Sequence, residues 1–96
     1  HCISSAASDV YKRQRLSYQS HAKRSEVWTV INGEAHVIIN DVSHTLNLND
    51  SIFIPAGSKH RLENKTDKEL NIIEIQTGSY FGEDDIIRYE DDYNRV

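Results

Sequence analysis

The feature that most constrains this chain is the rhythm of its short β-rich runs. From Arg15 onward, stretches rich in Val, Ile, Thr and Trp recur at intervals of roughly eight to ten residues, each closed by a turn signal. Residues 26–31 and 35–39 flank Asn32-Gly33, a dipeptide that tolerates positive φ at both positions and so predicts a hairpin between them. Asn40-Asp41 marks a second turn before residues 43–48. Residues 51–54 form a compact apolar run closed by Pro55-Ala56-Gly57, and residues 60–63 and 69–76 supply two more strands across a polar gap at 64–68. Short strands at this spacing predict an all-β sandwich or small barrel, not a helical or βαβ fold.

Composition narrows what such a domain can do. With 96 residues the chain holds one core, and a domain of this size buries only about 60% of its unfolded surface, so a ligand, metal or partner would add needed stability. No apolar run approaches the ~20 residues of a membrane span. The net charge of −4 argues against a dedicated nucleic-acid binder. The single cysteine, Cys2, excludes an internal disulfide framework and fits a reducing, cytoplasmic compartment. Residues 1–14 are polar, small and aperiodic, and are expected to be a non-native or disordered leader standing outside the fold, which leaves 15–96 as the domain. The tail from Gly82 to Val96 carries six acidic residues and two arginines, a pattern that fits either a short helix or an extended arm.

The sharpest chemical pattern is Gln19-x-His21, then Glu26, then His60. Residues two apart on a strand share a face, so Gln19 and His21 both project inward. Glu26 has the parity of Trp28 and Val30, and His60 follows the Pro55-x-Gly57 turn at the mouth of another strand. Two imidazoles, a carboxylate and an amide oxygen suit a divalent ion, Zn foremost, with Mn, Co, Ni and Fe as alternatives. His1, His36 and His44 lack such surroundings and receive no role. Neither a phosphate-binding glycine loop nor a dinucleotide fingerprint is present, and Ser17 has no partner for nucleophilic catalysis.

These residues resemble the double motif of the cupin superfamily. His21, Lys23 and Glu26, followed after six intervening residues by Gly33, are similar to its first half, with Lys23 standing for a histidine and Gln19 as the replacement ligand. Pro55, Gly57, His60 and Asn64 match the second half, with Asn49 where the family has a glycine. The segments 15–28, 54–64 and 82–93 further resemble the C-terminal domain of type II mannose-6-phosphate isomerases, which often forms part of bifunctional mannose-1-phosphate guanylyltransferases. Ala22 and Val27 depart from histidines common in that family.

The resemblance implies a cupin-type jelly roll that interconverts mannose 6-phosphate and fructose 6-phosphate within polysaccharide or GDP-mannose biosynthesis. It implies metal ligation by Gln19, His21, Glu26 and His60. Arg24 then faces the reacting atoms as the catalytic cation, and Lys23, Lys59 and Arg61 anchor the phosphate. The base is left unnamed. Expected partners are the phosphosugar, a second copy of the chain and a guanylyltransferase domain outside it. The alternative is a metal- and sugar-binding cupin module without turnover, stand-alone or fused to a nucleotidyltransferase.

Overall fold

The computed structural model describes residues 2–90; His1 and the acidic end of the tail, residues 91–96, lie outside the described residues. Strict alternation of buried and accessible residues builds the barrel wall. Along β3 (Arg24–Asn32), Arg24, Glu26, Trp28 and Val30 are buried, while Ser25, Val27 and Thr29 between them face the other way. The remaining strands are β1 (Cys2–Val10), β2 (Tyr18–His21), β4 (Ala35–Ile39), β5 (Val42–Leu46), β6 (Ser51–Ile54), β7 (His60–Glu63), β8 (Leu70–Gly78) and β9 (Ile86–Glu90), with a 3-10 turn at Glu83–Asp85 before β9. They form a four-stranded sheet in the order β1-β8-β3-β6 and a five-stranded sheet in the order β5-β4-β7-β2-β9. Every pairing is antiparallel. The two sheets enclose one apolar core containing Val10, Trp28, Val30, Ala35, Val37, Leu46, Ile54, Leu62, Leu70 and Ile72. This is the expected jelly-roll barrel. No helix among the described residues is long and apolar enough to cross a membrane.

Two expectations need correction. Asn32-Gly33 does not close a hairpin, because β3 and β4 lie in different sheets. Gly33, at φ +90°, is a corner where the chain leaves one sheet for the other, and a Cβ there would meet the Glu69 carbonyl oxygen at 2.3 Å. The two-residue hairpin is instead β4–β5 at Asn40-Asp41, where both residues have positive φ (47° and 68°) and the turn twist matches the strands.

The second correction concerns residues 1–14, expected to stand outside the fold. Nine of them form β1, paired residue for residue from Cys2↔Gly78 to Val10↔Leu70. Val10 is 2% exposed in the core. Small residues without periodicity give little sequence signal, yet they satisfy the edge of β8 through backbone hydrogen bonds, which need no particular side chains. The tail expectation resolves to both halves: a 3-10 turn, then an extended arm, β9, along β2.

Two motif positions are explained by backbone geometry. Asn49 sits at φ +72°, a left-handed conformation that asparagine tolerates nearly as well as the glycine it replaces. Asn64 is 1% exposed; its Nδ2 donates to the Val10 and Lys68 carbonyls, and its Oδ1 accepts from the Thr66 amide. It therefore ties the loop after β7 to the end of β1.

Candidate metal centre

At one end of the barrel the interior turns polar. His21 closes β2, Glu26 lies on β3 and His60 opens β7, and one ligand atom from each falls within 4.8 Å of the other two. The Glu26 Oε2 lies 3.3 Å from His21 Nε2 and 3.8 Å from His60 Nε2. All three side chains are 3% exposed or less. Strands from both sheets meet here because the Gly57 amide, in the turn that precedes β7, donates to the His21 carbonyl at 2.7 Å. Gly57 holds φ +83° to do so.

Neighbouring groups fix the orientation of each donor. The Trp28 indole N–H donates to Glu26 Oε1 at 2.9 Å, which leaves Oε2 to face the imidazoles. The Trp28 ring meets His60 edge-on, with centroids 5.4 Å apart. His60 Nδ1 lies 3.2 Å from the Ser58 carbonyl oxygen, which can only accept, so Nδ1 carries the hydrogen and Nε2 presents its lone pair. That Nε2 is buried with no hydrogen-bond partner. Burial lowers the pKa of both histidines; for His21 the Arg24 cation adds to the effect and the value falls to about 4. Both imidazoles are thus neutral near pH 7, the protonation state that ligates metals. A buried lone pair without a donor, a second neutral imidazole and an oriented carboxylate fit a divalent cation.

Gln19 lies directly across from His60 in the β2–β7 pairing, on the same inner face, and its Oε1 accepts from the Ser17 hydroxyl at 3.3 Å. The expected parity of Gln19, His21, Glu26 and His60 therefore appears in the strands. Arg24 is also in the centre: Nη2 lies 3.2 Å from His21 Nε2, Nε lies 3.8 Å from Glu26 Oε2, and Nη1 donates to the Phe81 carbonyl at 3.0 Å.

The expected phosphate anchors are placed differently. Lys23 is exposed on the turn between β2 and β3, with its ammonium 5.2 Å from the Tyr80 ring, near the mouth but off the ligand row. Lys59 and Arg61 point away from the ligand row, Lys59 exposed and Arg61 buried at 4% exposure over the Tyr18 ring, on the side of the five-stranded sheet opposite His60. Lys59 sits 4.5 Å over the Tyr89 ring, and Arg61 donates to the Leu16 carbonyl and pairs with Glu90. Both flank His60 in sequence, and strand alternation turns them away from it.

Sequence reading left Glu74 without a role. It lies across from Trp28 and faces inward, where it bonds the Ser8 hydroxyl and approaches Glu26. Burial, and then Glu26 beside it, raise its pKa to about 7. The alternation Leu70, Ile72, Glu74 was the available signal. Asp85 was also unassigned; it accepts from the Ala22 and Lys23 amides (3.2 and 2.9 Å) and seats the 3-10 turn on the loop that carries the centre.

Comparison with known proteins bears on the family and the fold. The family model described as "Mannose-6-phosphate isomerase C-terminal" matches residues 5–91. The chain is 51% identical over 82 residues to the alginate biosynthesis protein AlgA of Pseudomonas aeruginosa, covering 85% of this chain. It is 48% identical over 81 residues to the mannose-1-phosphate guanylyltransferase ManC of Salmonella typhimurium, covering 84% of this chain. In each case it spans about 17% of the relative's length. Among solved structures, a sugar phosphate isomerase of the cupin superfamily from Silicibacter pomeroyi superposes with TM-score 0.73 at 14% identity, covering 96% of this chain and 69% of that one. Oxalate decarboxylase from Bacillus subtilis superposes with TM-score 0.82 at 17% identity, covering 91% of this chain and 24% of that one. Likeness at these identities establishes the cupin fold.

Proposed function

Because the chain belongs to the mannose-6-phosphate isomerase C-terminal family, we propose that it is a metal-dependent isomerase domain interconverting mannose 6-phosphate and fructose 6-phosphate. On this reading it works in the cytoplasm as part of a longer enzyme whose other domain is a guanylyltransferase. The observation that carries the reading is the convergence of His21, Glu26 and His60 on one point with Arg24 against them.

His21, Glu26 and His60 would hold the ion, with Gln19 beside them as the fourth donor. The bound ion supplies electrophilic polarisation of the sugar oxygens at C1 and C2. Trp28 and the Ser58 carbonyl keep the carboxylate and imidazole pointed inward, so little reorganisation is needed when substrate arrives. Arg24 is fixed by the Phe81 carbonyl with its guanidinium edge toward the centre, where it stabilises negative charge developing on the enediol oxygens. Glu74, half-buried beside Glu26 with its pKa raised to about 7, is an inward-facing carboxyl group not committed to the ion.

The test is a coupled assay for fructose 6-phosphate formation from mannose 6-phosphate, run with and without chelator, alongside metal analysis. Turnover that chelation abolishes and divalent metal restores is expected. Stoichiometric metal with no turnover would identify a binding module instead. Arg24→Ala should lose activity while retaining metal; retained activity would remove Arg24 from the chemistry.

A further inference from the structure

With Lys59 and Arg61 turned away from the ligand row, Lys23, on an exposed turn near the mouth, is the expected phosphate anchor that stays on that side. Three cations stand on strands among the described residues: Arg24, Arg61 and Arg88. Arg61 points away from the ligand row and Arg24 is fixed against His21 and Phe81. Arg88 is different. On β9 it pairs directly with Gln19, and Gln19 pairs on its other side with His60, so His60, Gln19 and Arg88 form one row across three neighbouring strands. Directly paired residues share a face, which turns Arg88 toward the interior with both of them.

A β-bulge begins just beyond Arg88, which itself keeps the regular register that pairs it with Gln19. The register shifts between Tyr18 and Gln19, so Tyr18 lies opposite Glu90 while Gln19 lies opposite Arg88, and Tyr89 is the extra residue. The bulge sends both Tyr89 and Glu90 outward, Tyr89 to the Ser20 hydroxyl and Glu90 to Arg61. Without the extra residue, Arg88 would be followed by strict alternation and Glu90 would face inward beside it. The side chain of Arg88 is 25% exposed, so it is partly shielded and still reached by solvent. Its guanidinium lies 3.7 Å from the carboxylate of Glu83, which is 87% exposed, belongs to the 3-10 turn at the mouth and is loosely paired.

Resting on the isomerase reading above, we infer that Arg88 binds the phosphate group of the sugar phosphate, at the outer end of the row that begins with His60. Two strand spacings of ~4.8 Å put its backbone about 10 Å from that of His60. A hexose 6-phosphate lying along the row places its C1–C2 end at the metal centre and its phosphate at the guanidinium. Guanidinium matches phosphate in a two-point geometry, and a phosphate dianion out-competes the exposed Glu83 carboxylate for it. Glu83 then holds the guanidinium in place until substrate arrives. Asp85, clamped to the Ala22 and Lys23 amides, fixes the turn that carries Glu83 and leads into β9.

Arg88→Ala in the Zn-loaded protein tests this by calorimetric titration with mannose 6-phosphate and with unphosphorylated mannose, and by steady-state kinetics. Affinity for mannose 6-phosphate should fall about 10- to 100-fold and KM should rise in step, with kcat within a few-fold and metal content unchanged. Mannose binding should be unaffected. Arg88→Lys should recover part of the loss, and Glu83→Gln should tighten mannose 6-phosphate severalfold; these two variants keep a long polar side chain on β9 or leave it untouched. Unchanged mannose 6-phosphate affinity in Arg88→Ala, or a fall in kcat at constant KM, would overturn the assignment while leaving the isomerase reading in place. A wild-type protein that neither turns over mannose 6-phosphate nor prefers it to mannose would overturn both.

Discussion

The two ends of this barrel's interior are lined by the same strands and could hardly differ more. Along the inner face of β3 the residues run Arg24, Glu26, Trp28, Val30, and along β8 they run Gln76, Glu74, Ile72, Leu70. One end is a close-packed apolar plug in which Val30, Val37 and Leu70 are fully buried. The other buries His21, Arg24, Glu26 and His60, whose ionisable groups would be costly without mutual contact or a bound cation. Trp28 stands between, packing in the core with its ring and holding Glu26 with its N–H. The difference teaches that the apolar end provides stability and thereby holds the polar end in a geometry it would not adopt alone.

Breaking the polar end should have the largest effect. His60→Ala removes the oriented lone pair and should abolish stoichiometric divalent-metal binding and turnover, measured by metal analysis and the coupled assay. The ring's edge-on contact with Trp28 is lost too, so stability should fall somewhat, but the plug of Val30, Val37 and Leu70 should keep the fold. Breaking the other end reverses the pattern: Leu62→Ala, next inward position on the same strand, should cost about 2–5 kcal/mol of stability and lower Tm by roughly 10 °C or more, read by thermal melting. Metal stoichiometry in the folded fraction should be unchanged.

The boundary between the ends gives a smaller effect. Trp28→Phe keeps the ring and deletes the N–H, so metal affinity should fall about 10- to 100-fold with a small loss of stability, measured by competition with a chromogenic chelator. Glu74 sharpens the comparison through pH. Its folded pKa of about 7 lies above its ordinary 4.5, so the folded state holds the proton more tightly and stability declines as pH rises from about 4.5 to about 7. His21 has the opposite sign: depressed to about 4, it contributes stability that is complete above about 6.5 and is lost as pH falls. In metal-free protein, Glu74→Gln should therefore gain on wild type across pH 4.5 to 7, by on the order of 1–3 kcal/mol, in denaturant melts at several pH values. The smallest effect is on the outside: Lys59→Ala should leave KM and metal content unchanged, since that ammonium rests on Tyr89.

Period-two alternation made the interior legible. It put Glu26 in step with Trp28 and Val30, and Gln19 in step with His21, because a strand allows only two faces. The same rule was missed where nearness in sequence stood in for facing, as with Lys59 and Arg61 on either side of His60. Asn32-Gly33 announces a tight turn truthfully, but a dipeptide cannot say whether the chain returns along the same sheet or crosses to the facing one. Packing of Gly33 on the Glu69 backbone decides that. Cys2–Val10 was invisible because edge pairing uses backbone groups that every residue carries. Arg88 keeps parity with Ile86, but nothing in the sequence says that β9 lies along β2 and brings it level with Gln19.

β9 lies along the outer side of β2, the strand that supplies Gln19 and His21. A chain cut before Ile86 would leave that strand's amides and carbonyls unpaired along a flat border, ready to template onto the same border of another molecule. Shortening this domain from its C-terminal side would therefore trade a ligand-bearing strand for an aggregation seed.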